Sequence, residues 1–159
     1  MDYEKKFLSL GDEIPPVSPS VPAGCNFVLY KRVGKLLTLS GYGPFWGADV
    51  PVEFSGKLGK ELTTKQGYAA SRLTCINLLL MARQAITTLD NVIEIVEVNG
   101  MVNCTPDFTE QPGVINGCSD LLVQIFGDAG RHTRAAVGMN SLAFNISVEI
   151  AISLLVKAQ

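Results

Sequence analysis

Two side chains of opposite charge stand fifteen residues apart in the last β-type runs of this 159-residue chain: Arg134 in the run Arg134–Met139, and Glu149 in the run Ile146–Leu155. Strand residues alternate between faces, so Ile146, Val148, Ile150 and Ile152 fall on one side and Ser147, Glu149, Ala151 and Ser153 on the other. In the preceding run Ala135, Val137 and Met139 oppose Arg134, Ala136 and Gly138 in the same way. Taken as a hairpin with both apolar sets against helices, the two runs leave a recessed face of small residues that carries one arginine and one glutamate. That face has two readings. One is an ion pair or a subunit contact. The other is a site where Arg134 grips a carboxylate through a bidentate fork while Glu149 manages a water. Alternation along the strands does not choose between them.

Other chemistries have less support. Cys25, Cys75, Cys104 and Cys118 show no CxxC spacing, and His132 is the single histidine, so neither a metal site nor any other cofactor is expected. The thiols read as reduced and mostly buried. His132, next to Arg131 and the Arg134 run, reads as a surface or interface turn residue. With no second histidine, general acid–base cleavage of RNA has little to work with. Thirteen basic against fifteen acidic side chains give a net charge of −2, and the basic residues are scattered. A nucleic-acid partner is therefore not supported. No apolar run approaches the roughly 20 residues of a membrane span. The opening MDYEKKFLSLGDEIPP lacks the pattern of a secretory leader, and a cytoplasmic protein is expected.

The elements that must position these residues can be read in turn. Residues 1–22, rich in proline and serine, read as an extended arm, and residues 23–159 as one domain. Phe27–Val33 and Leu36–Ser40 flank Gly34-Lys35 as a hairpin. The stretch Gly41–Glu61 holds five glycines and two prolines and reads as loop with at most one short strand, with Tyr42 and Trp46 either lining a cleft or packing a subunit contact. Thr63 and Gln66 form a capping box before a helix to about Thr88, with Ala69, Leu73, Ile76, Leu79, Leu80 and Ile86 at helical spacing. Val92–Val102 is a β-branched run whose even positions make the better core face. A second helix starts near Pro112, carries Val114, Cys118, Leu121, Leu122 and Ile125 as its apolar stripe, and ends at Gly127. The order ββ-α-β-α-ββ describes an α+β sandwich with helices on one face of a sheet. Charged residues make up only 18% of the chain and apolar ones 47%, so part of the surface is expected to lie under another subunit.

Three strings carry a family likeness. GRHTRAAVGMNSLAFNISVEIAI resembles the carboxy-terminal signature of the RidA/YjgF family, the enamine/imine deaminases. VGKLLTLSGYGP resembles that family's G-(apolar)-SG-x-x-P hairpin, and VNCTPDFTEQPGVINGCSDLL its junction into the second helix. The resemblance implies a chorismate-mutase-like fold, a mixed sheet with two helices on one face, and a homotrimer with clefts between subunits. It implies a hydrolytic deaminase of reactive 2-imino or enamine acids, giving 2-keto acids and ammonia. Arg134 matches the arginine that binds the carboxylate, and Glu149 the acid that positions water. Ala136 falls where the family offers backbone hydrogen bonds, Asn116 matches a cleft asparagine, and Ser40 sits in the SG element. Phe27 stands where many deaminases have a tyrosine, Tyr42 where glutamine is common, and Ala136 where cysteine is frequent. A non-catalytic module that binds small keto or amino acids is the alternative reading, and an endoribonuclease the least favoured.

Overall fold

Thr63 and Gln66 open the longest element. In the computed structural model, which describes residues 1–158, the Gln66 backbone N–H donates to the Thr63 hydroxyl at 3.3 Å and the Thr63 backbone N–H to Gln66 Oε1 at 2.9 Å. This reciprocal cap satisfies two backbone donors that a helix start leaves without partners. It launches α2, Thr64–Ile86, which buries Leu73, Ile76, Leu79, Leu80 and Ile86, with Ala69 half-buried. The second long helix, α3, spans Gln111–Phe126 with Pro112 in its first turn. Val114, Cys118, Leu121, Leu122 and Ile125 are all buried, and the helix stops at Gly127. The two helices pack closely at Gly117, where an added Cβ would lie 2.0 Å from the carbonyl oxygen of Tyr68.

Five strands make one mixed sheet in the order β1-β2-β5-β3-β4. They are β1 (Tyr30–Val33), β2 (Leu36–Leu39), β3 (Val92–Asn103), β4 (Thr133–Met139) and β5 (Val148–Val156). The first two form the expected antiparallel hairpin, turning at Gly34 with φ +61°, a conformation glycine adopts without steric cost. The last two do not form a hairpin. β3 lies between them, antiparallel to β5 and parallel to β4. The cause is the crossover: a strand that returns through a helix is delivered parallel beside the strand it left, so β3-α3-β4 is a βαβ unit. Residues 140–147 then have to step past β3 to reach β5, and Phe144 and Asn145 take left-handed conformations (φ 58° and 54°) on the way.

In β3, Val92, Val98, Gly100 and Val102 are buried as the even-position reading expects, but Ile95 is buried and Val96 exposed. Register shifts between Val92 and Glu94 and between Ile95 and Glu97 explain the exchange, because a bulge reverses which alternate residue faces inward. Ile93 and Val96 are each 38% exposed and Val137 of β4 is 44% exposed, so apolar side chains stand uncovered on the sheet.

The arm departs from the extended reading at its start. Tyr3–Leu8 is a short helix, α1, whose Phe7 is fully buried with the Arg83 guanidinium 5.6 Å from its ring centroid. Glu4 pairs with Arg83 at 2.6 Å and accepts the Leu89 backbone N–H at 2.8 Å, while Asp90 Oδ1 accepts the Tyr3 N–H at 2.8 Å. Those contacts fasten the arm to the end of α2, and residues 17–22 then run back over the domain without helix or strand.

Candidate active site

Arg134 is the second residue of the edge strand β4, in register with Val98 of β3, which in turn pairs with Ile152 of β5. Val98 and Ile152 are buried beneath the helices, so Arg134 shares their side of the sheet and faces α3. One terminal nitrogen, Nη1, donates to Asn116 Oδ1 at 2.8 Å and to Ser119 Oγ at 3.1 Å. Asn116 and Ser119 are three residues apart on α3 and hence on one helix face. Both Nη1 hydrogens are thereby committed. Among the described residues nothing is hydrogen-bonded to Nε or Nη2, the edge whose parallel N–H groups match the two oxygens of a carboxylate. The residue is exposed, so a ligand can reach that edge.

Glu149 is not on the same face. It pairs with Met101, which also aligns with Val137, three residues along β3 from the Val98 row. An odd separation puts it on the opposite side of the sheet. Two strand spacings and three residues separate its Cα from that of Arg134 by about 14 Å. The expected single face carrying both charges is therefore corrected. On β4 the residues turned toward the helices are Arg134, Ala136 and Gly138, with Ala136 packed against the core. Ala136 keeps its place two residues from Arg134 on a strand whose outer backbone edge has no ladder partner.

Glu149 instead borders a cavity of about 480 Å³ walled mainly by Phe27, Leu29, Tyr42, Phe45 and Phe144, with arm residues Val17–Pro22 along one side. The carboxylate is half-buried and has no hydrogen-bond or ion-pair partner among the described residues; burial raises its pKa. Glycine at position 41 makes this arrangement possible, since a Cβ there would lie 2.5 Å from Glu149 Oε1. Gly41→Ala is expected to push the carboxylate aside, which a flexible side chain does cheaply. Thermal melting should change little while any activity that depends on Glu149 falls.

The six residues singled out from the sequence thus separate into groups. Arg134, Asn116 and Ala136 gather along α3 and β4, whereas Glu149 and Phe27 meet at the cavity. Ser40 belongs to neither, because its hydroxyl donates to the Val28 carbonyl at 2.6 Å and secures the start of the β1–β2 hairpin. Tyr42 lines the cavity and pairs by backbone with Ile150; Trp46 lies outside the lining and donates from Nε1 to Glu53 Oε2 at 3.2 Å. Cys75, Cys104 and Cys118 are buried free thiols and Cys25 an exposed one.

Sequence reasoning missed Ser119, although its i+3 spacing from Asn116 was a usable signal. His132, read from the sequence as a surface or interface turn residue, lies in the short link before β4 and is a half-buried member of the Arg134 cluster. Its Nδ1 lies 2.6 Å from the Gly130 carbonyl and its Nε2 2.9 Å from Ser119 Oγ. Burial lowers its pKa, Arg134 adds to that, and the Gly130 carbonyl opposes it.

Residues 4–152 match the family described as "YjgF/chorismate_mutase-like, putative endoribonuclease". The chain belongs to the YjgF (RidA) family. The family match reaches back to residue 4, so most of the arm lies within it. Among relatives, "Protein TCP17" of Trypanosoma cruzi is 39% identical over 142 residues, spanning 89% of this chain and 86% of that protein. Among solved structures, Atu1372 of Agrobacterium tumefaciens superposes with a TM-score of 0.83 at 33% identity, covering 98% of this chain and 92% of that one. TdcF of Escherichia coli, solved with bound serine, superposes at 0.63 with 14% identity over 91% of this chain and 98% of its own, a likeness of fold alone. The YjgF fold, a chorismate-mutase-like α+β sandwich with a mixed five-stranded sheet and two main helices, agrees with the expected class. Among the described residues, no helix is long and apolar enough to cross a membrane, and no three His, Cys, Asp or Glu cluster to hold a metal.

Proposed function

We propose that this YjgF-family protein hydrolyses reactive 2-imino acids to 2-keto acids and ammonia. The observation that carries the reading is the free Nε/Nη2 edge of Arg134, held outward by the Asn116 bond to Nη1. That edge takes the substrate carboxylate in a bidentate fork. A protonated imine carbon is already electrophilic, so the protein has to place water on it and remove a proton. Glu149 does both: as a carboxylate it accepts a proton from the attacking water, the C–O bond forms, and a tetrahedral carbinolamine results. Glu149 returns that proton to the carbinolamine nitrogen. The hydroxyl oxygen then forms the C=O bond as the C–N bond breaks, ammonia leaves, and the hydroxyl proton passes back to Glu149 and on to the departing ammonia as ammonium. The burial that raises the Glu149 pKa brings it closer to the operating pH, where a general base is most effective.

Arg134 and Glu149 lie on opposite faces of one sheet, so we assign the pair to two different copies of the chain, with a homotrimer as the assembly. The uncovered apolar side chains of Ile93, Val96 and Val137 support subunit burial. The test is complementation. Arg134→Ala and Glu149→Gln chains, each inactive alone, are unfolded together and reassembled at equal ratio. A site shared between subunits regains about a quarter of wild-type activity, because random mixing pairs one intact arginine with one intact glutamate at that frequency. A site within one chain regains none.

A binding module without turnover is the second reading. It is favoured by the apolar walls around Glu149 and by Phe27, which has no hydroxyl to offer a reacting group. Saturable heat of binding for pyruvate, with no acceleration of 2-iminopropionate hydrolysis, would select it.

A further inference from the structure

Arg134 is held by a chain of contacts that begins at Gly130, four residues before it in the chain. Gly130 packs so closely on α3 that a Cβ would lie 2.3 Å from the Leu122 carbonyl oxygen. This contact fixes the backbone that presents the Gly130 carbonyl to His132 Nδ1 at 2.6 Å. A carbonyl only accepts, so Nδ1 carries the proton and the neutral ring offers Nε2 as an acceptor. Ser119 Oγ, 2.9 Å from Nε2, therefore donates its hydrogen to the imidazole. That leaves the serine lone pairs for Arg134 Nη1 at 3.1 Å, beside the Asn116 bond at 2.8 Å. A hydroxyl free to rotate could turn its hydrogen toward the guanidinium and repel it; one committed to Nε2 cannot.

We propose that His132, acting through Ser119, is a positioning residue that locks the Arg134 guanidinium with its Nε/Nη2 edge open to a carboxylate. The proposal rests on Arg134 being the carboxylate receptor. Asn116 alone fixes one Nη1 hydrogen and leaves the guanidinium plane free to swing about that bond; the Ser119 contact supplies the second point. Ser119 and His132 touch no substrate themselves. Because their effect passes in series through one hydrogen bond, removing both costs no more than removing either.

His132 is the only histidine in the chain, so its ring nitrogens give a single pair of ¹⁵N signals. With the full-length protein near neutral pH, these should show Nδ1 protonated and Nε2 bare, and Ser119→Ala should move the Nε2 signal. Calorimetry with pyruvate as probe should give a Kd raised about five- to tenfold in both His132→Ala and Ser119→Ala, the size of one lost hydrogen bond. The double variant should match the singles, and His132→Gln should restore wild-type affinity, since its amide oxygen can accept the Ser119 hydrogen. A purely structural histidine would not be rescued in this way. An Nε2-protonated ring overturns the proposal. So does unchanged affinity in Ser119→Ala and His132→Ala while Arg134→Ala abolishes binding, which leaves the carboxylate receptor standing. Unchanged affinity in Arg134→Ala itself removes the receptor and the proposal with it. Should His132→Ala fold poorly, Ser119→Ala and the glutamine variant carry the same test.

Discussion

Arg134→Ala is expected to lower kcat/KM for 2-iminopropionate, generated in situ, by about 10²–10³-fold, with two charge-assisted hydrogen bonds lost at once. Most of the loss should appear as a failure to saturate, because the carboxylate is gripped alike in ground and transition states. Arg134→Lys should recover little: an ammonium keeps the charge but cannot present two parallel donors to one carboxylate. The fold should tolerate both changes. Arg134 is exposed at the edge strand, and its hydrogen bonds run to the exposed Asn116 and the half-buried Ser119, outside the apolar core. Equal melting temperatures alongside the lost activity would place the effect in the site. Wild-type rates under Arg134→Ala would remove the arginine from the mechanism.

Glu149→Gln is expected to cost about 10²–10⁴-fold in kcat, the usual worth of a positioned proton acceptor, while carboxylate binding is kept. The same change should stabilise the protein. Burial raises the folded-state pKa of Glu149, so the native state holds its proton over a pH range in which the unfolded chain has released it. Stability from this group is therefore greatest at low pH and falls as pH rises through the raised value. Glutamine carries no charge to desolvate, so Glu149→Gln should melt higher than wild type at neutral pH, with the gain disappearing in acid. The acid limb of the rate profile should likewise sit above the ordinary glutamate range, because activity needs the ionised form. A variant that loses stability at neutral pH, or a limb at the ordinary value, would show that the carboxylate is paired in solution and not poised as a base.

Local signals in the chain were reliable where the physics is local. The Thr63/Gln66 cap, the stripe of α3, the Gly127 stop and the Gly34 turn depend on neighbours within four residues, and each stands where the spacing puts it. The arm was harder. α1 is only six residues long, too short to be stable on its own, and it exists because Phe7 finds a hole in the core and Glu4 finds Arg83 and the Leu89 amide. None of those partners lies nearby in the chain. The even-position reading of β3 failed at residues 95 and 96 for a related reason: a bulge is set by the partner strand, here β5.

The sequence by itself determined the element order, the capped helices, the residue types able to hold a carboxylate and move a proton, and, through its motifs, the family. The fold class followed, since helices and strands alternating in that order have few ways to cover one another. Only the tertiary structure decided which side of the sheet each charge occupies. Alternation fixes faces within a strand, but the relation between two strands depends on what lies between them, and β3 inserts between β4 and β5. That insertion turns Arg134 toward α3, where Asn116, Ser119 and His132 surround it, and leaves Glu149 alone at an apolar cavity on the far side. Two residues fifteen apart in sequence, expected to meet within one chain, are held apart by a strand that neither belongs to.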